Sequence, residues 1–183
     1  MNDYSIALFL HIVAVLGMFV GLGLEWIGLS QIRSAQDFGQ VRVWMGVLKS
    51  TPKLGFPSML AAVVSGLYLM WRAWGGTPWV IMSIGALVLI IVLFAAVTRR
   101  QMTAVGRALG VQKGPVVSQT FHSLANHPLL WISIQTRMAI ALGIIFLKIA
   151  KPDLAGSLLV IGIAIVLGIA SALPVSRPSA SPV

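Results

Sequence analysis

Four ionisable side chains interrupt the apolar stretches of this chain: His11, Glu25, Arg137 and Lys148. An ionisable group in hydrocarbon is costly, so each marks a candidate site that requires a partner. Neutral imidazole is a good ligand for haem iron, and a histidine on an apolar helix is the usual way a membrane bundle holds haem b. His11 is therefore the candidate metal ligand, through haem iron. Its bland alternative is a histidine hydrogen-bonded to a neighbouring helix or facing a small aqueous cavity. Arg137 requires an anion, and Glu25 is the one carboxylate inside an apolar run. Two readings stay open for Arg137. It either forms an intramembrane charge pair with Glu25, or acts as a cofactor-binding residue that neutralises a haem propionate or substrate carboxylate. Gln135 and Thr136 beside it can add hydrogen bonds.

The other histidines carry less. His122 and His127 are five residues apart, a spacing that does not put both on one helix face, and Pro128 follows directly, so two solvated interfacial side chains are expected rather than a shared metal. His11 and His127 are expected at opposite membrane edges, about 20 Å or more apart, too far to ligate one haem together. A second side-chain ligand would be a methionine such as Met18, or would come from another subunit. The chain has no cysteine, which excludes disulfides, thiolate metal sites, iron–sulfur clusters and covalent haem attachment. Hydrolase, ATPase and dinucleotide-binding motifs are also missing from the sequence.

The elements that must position these groups are apolar helices. The chain of 183 residues is 58% hydrophobic and 9% charged, with mean hydropathy +0.95, beyond what a soluble domain of this size can bury. Five stretches approach the roughly 20 apolar residues that a bilayer crossing requires. They are 4–29, 54–74, 79–98, 129–150 and 154–173. The expected fold is an all-α, polytopic transmembrane bundle of five spans, or four and a peripheral helix. A single domain covers 1–173, and a Pro/Ser-rich tail, 174–183, is expected to be disordered.

The net charge of +9 is read as a membrane signature and not as a nucleic-acid site, because the cations lie in short loops between apolar runs. Arg33, Arg42, Lys49, Lys53, Arg99, Arg100, Arg107, Lys113 and Arg177 share one side; Arg72, Lys148 and Lys151 fall on the other. The rich side is expected in the cytoplasm, with the N-terminus outside. Trp71, Trp74 and Trp79 at outer ends, and Trp26 and Trp131 at inner ends, read as interfacial belts. Pro52 and Pro57 are placed in the turn leading into the second span. Before it, Phe38, Val41, Met45 and Leu48 recur at helical spacing, which predicts a short helix lying on the anionic inner leaflet. Small residues mark helix seams: Gly17, Gly21 and Gly28 on the first span; Ser58, Ala62 and Gly66 on the second; Ala139 and Gly143, then Ala164 and Gly168, on the last two.

Leu8 to Gly21 reads L-F-L-H-I-V-A-V-L-G-M-F-V-G and resembles the first helix of HemJ-type protoporphyrinogen oxidases and of copper-resistance D-type membrane proteins. Arg137 to Asp153 is similar to the late helix of a bacterial family of predicted integral membrane proteins. The first resemblance implies a haem-linked role for His11. The leading expectation is a small protein of the bacterial inner membrane that binds haem b non-covalently, for electron transfer or porphyrin-linked redox chemistry. Its partners would be the lipid bilayer and a membrane redox protein or a second copy of itself. Two alternatives stand beside it: a transporter with a polar path through His11, Glu25 and Arg137, and an accessory subunit of a membrane complex. Nothing in the residues names a reaction.

Overall fold

A computed structural model describes residues 2–111, 117 and 119–175. Lys113, Arg177 and positions 176–183 of the expected tail lie outside the described residues. The described chain is all-helical, without an extended strand, and has five helices long and apolar enough to cross a membrane.

Helix α1 (Asp3–Ser34) starts where the Asn2 side chain accepts from the Tyr4 amide, and runs for 32 residues. Helix α2 (Phe38–Leu69) starts at Asp37, whose carboxylate accepts from Gln40 N at 3.0 Å, a capped N-terminus. It ends in a π-turn, Met70–Trp74, and the chain reverses at Gly75, whose φ of 58° suits a residue without Cβ. Helix α3 (Pro78–Leu93) passes through a second π-turn, Phe94–Thr98, into α4 (Arg99–Val111) without a break. After the short α5 (Gln119–Ala125) come α6 (Pro128–Ala150) and α7 (Leu154–Val175). Asp153 precedes α7 and accepts from Gly156 N at 2.8 Å, as an N-cap does. Pro174 and Val175 belong to α7, so the helix takes the first two positions expected of the tail.

Two features of α2 differ from the sequence expectation. The residues expected to form a separate surface helix are the first turns of α2, and Pro52 and Pro57 sit inside that helix. Packing explains both. Phe38, Val41, Met45 and Leu48 are buried in one core with Leu29 and Ile32 of α1, Val105 of α4 and Phe121 of α5. Their stripe faces protein, not lipid. This burial outweighs the roughly 3 kcal/mol that an internal proline costs a helix. Trp131 also departs from the expected interfacial belt: it is 1% exposed in the same core, with its indole N–H donated to Ala125 O at 3.1 Å.

The bundle is assembled from two helical hairpins, α1/α2 and α6/α7, with α3 packed against α6 and α7. Missing side chains set both seams. A Cβ on Gly17 would strike Ser58 Oγ, one on Gly21 would meet Gly55 Cα at 3.4 Å, and one on Gly28 would meet Leu48 Cδ2 at 2.8 Å. The glycine face of α1 is therefore covered by α2. Across the other hairpin, Gly143 faces Ala164, and Gly168 lies against the Thr136 backbone. The core containing Phe121 fills the arginine-rich end, which we call the basic end. A second core, with Leu22, Ile90, Ile140 and Leu147, fills the rest.

Candidate functional site

The ionisable side chains gather in two clusters where α1 meets α6. In the first, Arg137 Nη2 lies 2.7 Å from Glu25 Oε1, an ion pair between helices far apart in sequence. The same nitrogen donates to Thr98 Oγ1 at 3.2 Å. Thr98 Oγ1 is 3.0 Å from Ser133 Oγ, and the Ser133 hydroxyl donates to Leu93 O at 3.2 Å. The Phe94 ring flanks the guanidinium, with its centroid 5.3 Å from Cζ. Both Phe94 and Thr98 come from the π-turn between α3 and α4. A π-turn inserts an extra residue into a helix and re-aims the side chains around it. Here it delivers one ring and one hydroxyl to the same cation. Arg137 is 2% exposed and its Nε has no hydrogen-bond partner; Thr136 Oγ1 beside it is likewise buried and unpaired.

The second cluster is built on His11. Its Nδ1 lies 3.0 Å from Ala62 O and 3.1 Å from Ser65 Oγ. A carbonyl only accepts, so the network assigns the ring proton to Nδ1. The Ser65 hydroxyl donates to Ala61 O at 2.5 Å, leaving an oxygen lone pair for the same imidazole N–H. Nε2 is then the acceptor, and it is hydrogen-bonded to the Lys148 ammonium. Gly66 lets the ring sit down on α2, since a Cβ there would come within 3.0 Å of His11 Cε1. The small-residue stripe of α2 thus has two uses: Ser58 seats a glycine, while Ala62 and Gly66 hold an imidazole.

These clusters are separate. His11 and Glu25 are fourteen residues apart on α1, about 21 Å along the axis, and Arg137 and Lys148 are about 16 Å apart on α6. Buried Ala14 and Leu22 of α1, with Ile140, Ala141 and Leu147 of α6, occupy the level between them. The structure brings Arg137 to Glu25, and it does not bring Arg137 to His11. His127 caps α6, with Nδ1 accepting from Leu129 N at 3.3 Å, and His122 lies on α5. Among the described residues, no group of three or more His, Asp or Glu side chains is placed to share a metal ion.

Thr98, Ser133, Phe94 and Ser65 were not singled out by their sequence. Ser133 could have been, because it precedes Arg137 by one helical turn and shares its face. The π-turn that recruits Phe94 and Thr98 has no signature in F-A-A-V-T.

No family model, curated protein or solved structure matches this chain.

Proposed function

We propose that this chain is a five-span integral membrane protein that holds haem b non-covalently on His11, for electron transfer or porphyrin-linked redox chemistry. One observation carries the reading: Nδ1–H is anchored on the Ala62 carbonyl, which makes Nε2 the acceptor nitrogen, bonded to Lys148 of α6. A ligating histidine commonly donates its other N–H to a backbone carbonyl, which fixes the tautomer and raises the basicity of the ligand. The tautomer at His11 is the one a haem ligand needs, while Nε2 itself is bonded to Lys148 and the ring is buried against α2. When bound, haem supplies a one-electron iron couple. The chain's own residues do the rest. Ala62, Ser65 and Gly66 fix the plane of the imidazole. Lys148 guards Nε2 and has to turn aside for that atom to bind iron. Its flexible stem leaves α6 two residues before the helix ends, within snorkelling range of the interface. Arg137 is committed to Glu25 and is assigned a positioning role in the bundle. The test is the visible spectrum of purified protein supplied with haem, in wild type and in His11→Ala.

A second reading, an accessory subunit of a membrane complex, is favoured by the closed Glu25–Arg137 pair, which seals the α1/α6 contact instead of offering a charge to a ligand. A transport path draws no comparable support, because apolar side chains fill the level between the two polar clusters.

The membrane assigned to this protein is the bacterial inner membrane, with the basic end in the cytoplasm and the N-terminus outside. The cysteine-free chain makes this easy to check. Gly76→Cys in the α2–α3 turn and Gln36→Cys at the basic end both lie at exposed positions. An impermeant maleimide applied to intact cells should label Gly76→Cys at once and Gln36→Cys only after lysis. The reverse pattern would invert the topology.

A further inference from the structure

Arg42, Lys49 and Lys53 of α2 are spaced seven and four residues apart, so they fall within about 40° of one stripe, and all three are exposed. The four acidic side chains of the chain are engaged or placed elsewhere. Glu25 is buried against Arg137, and Asp3 and Asp153 lie at the opposite end of the bundle. Asp37 caps α2 through Gln40 N, about 18 Å along the helix from Lys49. Among the described residues, none of the three cations forms an ion pair.

An open groove of about 400 Å³ runs beside this stripe, where α2 meets α1. It is lined by Gly46, Val47, Ser50, Thr51 and Leu54 of α2 and by Leu24 of α1. Gly46 contributes room, since nothing lies within 4 Å of where its Cβ would stand. Around the helix, Gly46 and Ser50 fall between the lysine stripe and the apolar wall of Val47 and Leu54. Depth matters as much as charge. Leu54 lies 20 residues from Trp74, and Leu24 lies 20 residues from Tyr4, about 30 Å in each case. That is the thickness of the hydrocarbon of a bilayer. With Tyr4 and Trp74 at one face, the groove opens at the other. Leu24 and Leu54 then lie at the edge of the acyl chains, and Ser50, Lys49 and Lys53 lie among the headgroups.

We propose that this groove binds one anionic phospholipid: Lys49, Lys53 and the Ser50 hydroxyl hold the headgroup phosphate, and an acyl chain lies along Leu24 and Leu54. Hydrogen bonds from an ammonium to a phosphate are charge-assisted, and lysines at the membrane surface attract anionic lipids. Arg42, about 10 Å further out than Lys49 along α2, adds to that field. No carboxylate is placed beside the lysines to match a choline or ethanolamine, so the site favours a headgroup with net negative charge. The groove passes from polar to apolar along α2 at the depth where a phospholipid does the same. A free phosphate would match the lysines and leave Leu24 and Leu54 uncovered. The inference rests on the membrane-spanning part of the proposed function and is independent of haem, since His11 is about 20 Å from Leu24 along α1.

The experiment is a titration of the full-length protein, in a neutral detergent, with dioleoylphosphatidylglycerol and separately with dioleoylphosphatidylcholine, bound lipid being counted by native mass spectrometry. Wild type should take up one phosphatidylglycerol about tenfold more tightly than phosphatidylcholine, the effect expected of two lysines at an anionic headgroup. Lys49→Gln/Lys53→Gln should bind the two lipids equally. Arg100→Gln/Arg107→Gln removes the same charge from exposed positions of α4 and should keep the preference. Gly46→Leu keeps every charge, fills the groove and should weaken phosphatidylglycerol binding. The wild-type comparison of the two lipids stands even if a variant fails to fold. Equal binding of both lipids by wild type, or an unchanged Gly46→Leu, would overturn the site. A preference lost as fully in the α4 variant as in the α2 variant would also overturn it, by showing general attraction to a basic surface. Each of those results leaves the membrane reading intact. Recovery of the expressed protein in the soluble fraction and not in membranes would overturn that reading, and this inference with it.

Discussion

Glu25→Leu is expected to destabilise the protein by about 3–5 kcal/mol, the typical result of leaving one member of a buried ion pair behind. Arg137 is almost fully buried, and its Nη2 has Glu25 as its one charged partner. Without Glu25, the guanidinium keeps the Thr98 hydroxyl and the Phe94 ring, neither of which carries a negative charge. The double variant Glu25→Leu/Arg137→Leu should recover most of the loss, because replacing both charges by apolar groups removes the desolvation penalty together with the attraction. Unfolding of the purified protein in detergent, followed by circular dichroism, provides the comparison. Recovery in the double variant would identify the pair as structural. A double variant as unstable as the single one would mean that Arg137 or Glu25 has another partner that the pair only partly represents.

Gly168→Ala carries the next largest expected effect, although the substitution adds one methyl group to a helix. Its Cβ would fall 2.5 Å from Thr136 Cα and 3.1 Å from Gln135 O. Those are backbone atoms, so no rotamer change relieves the clash, and α7 has to move away from α6. Overpacking of this kind costs about 1–3 kcal/mol. It also disturbs the turn of α6 that holds Thr136 and Arg137. Gly162→Ala is the matched control on the same helix, since nothing lies within 4 Å of its Cβ. That change should be neutral or slightly stabilising, because alanine is the better helix former by up to about 1 kcal/mol. Equal melting temperatures for the two variants would show that the α6–α7 seam is looser than the structure has it.

The legible parts of this fold are those that depend on one helix at a time. Apolar runs of membrane-crossing length mark all five long helices, and the glycines of α1 mark a face suited to close helix contact. Less legible was whatever depends on which helix comes next to which. Phe38, Val41, Met45 and Leu48 have the spacing of an amphipathic surface helix. Only the arrival of α1, α4 and α5 on that stripe makes it a core, and the same burial carries α2 through two prolines. For the site, residue types announced Glu25 and Arg137 as groups in need of partners, since a lone charge in an apolar run is conspicuous. His11 was equally conspicuous, but its surroundings were not. Ala62 contributes a backbone carbonyl, Gly66 contributes empty space, and Lys148, conspicuous by type, gives no sign in the sequence that its neighbour is His11. Thr98 reaches Arg137 through a π-turn, a change of helical register that leaves no mark on composition or periodicity.

The proposed haem ligation rests on His11 Nε2, in a ring held by its Nδ1–H bond to Ala62. The most direct measurement is the reduced-minus-oxidised visible spectrum of the purified protein, expressed with haem precursors supplied. Wild type is predicted to show a Soret band that shifts on reduction. His11→Ala should lose it while keeping the wild-type helical content, because the cavity left by the imidazole removes the donor and not the α1–α2 glycine seam. A wild-type protein without porphyrin absorbance despite haem supplementation, or a His11→Ala variant with an unchanged band, would contradict the account.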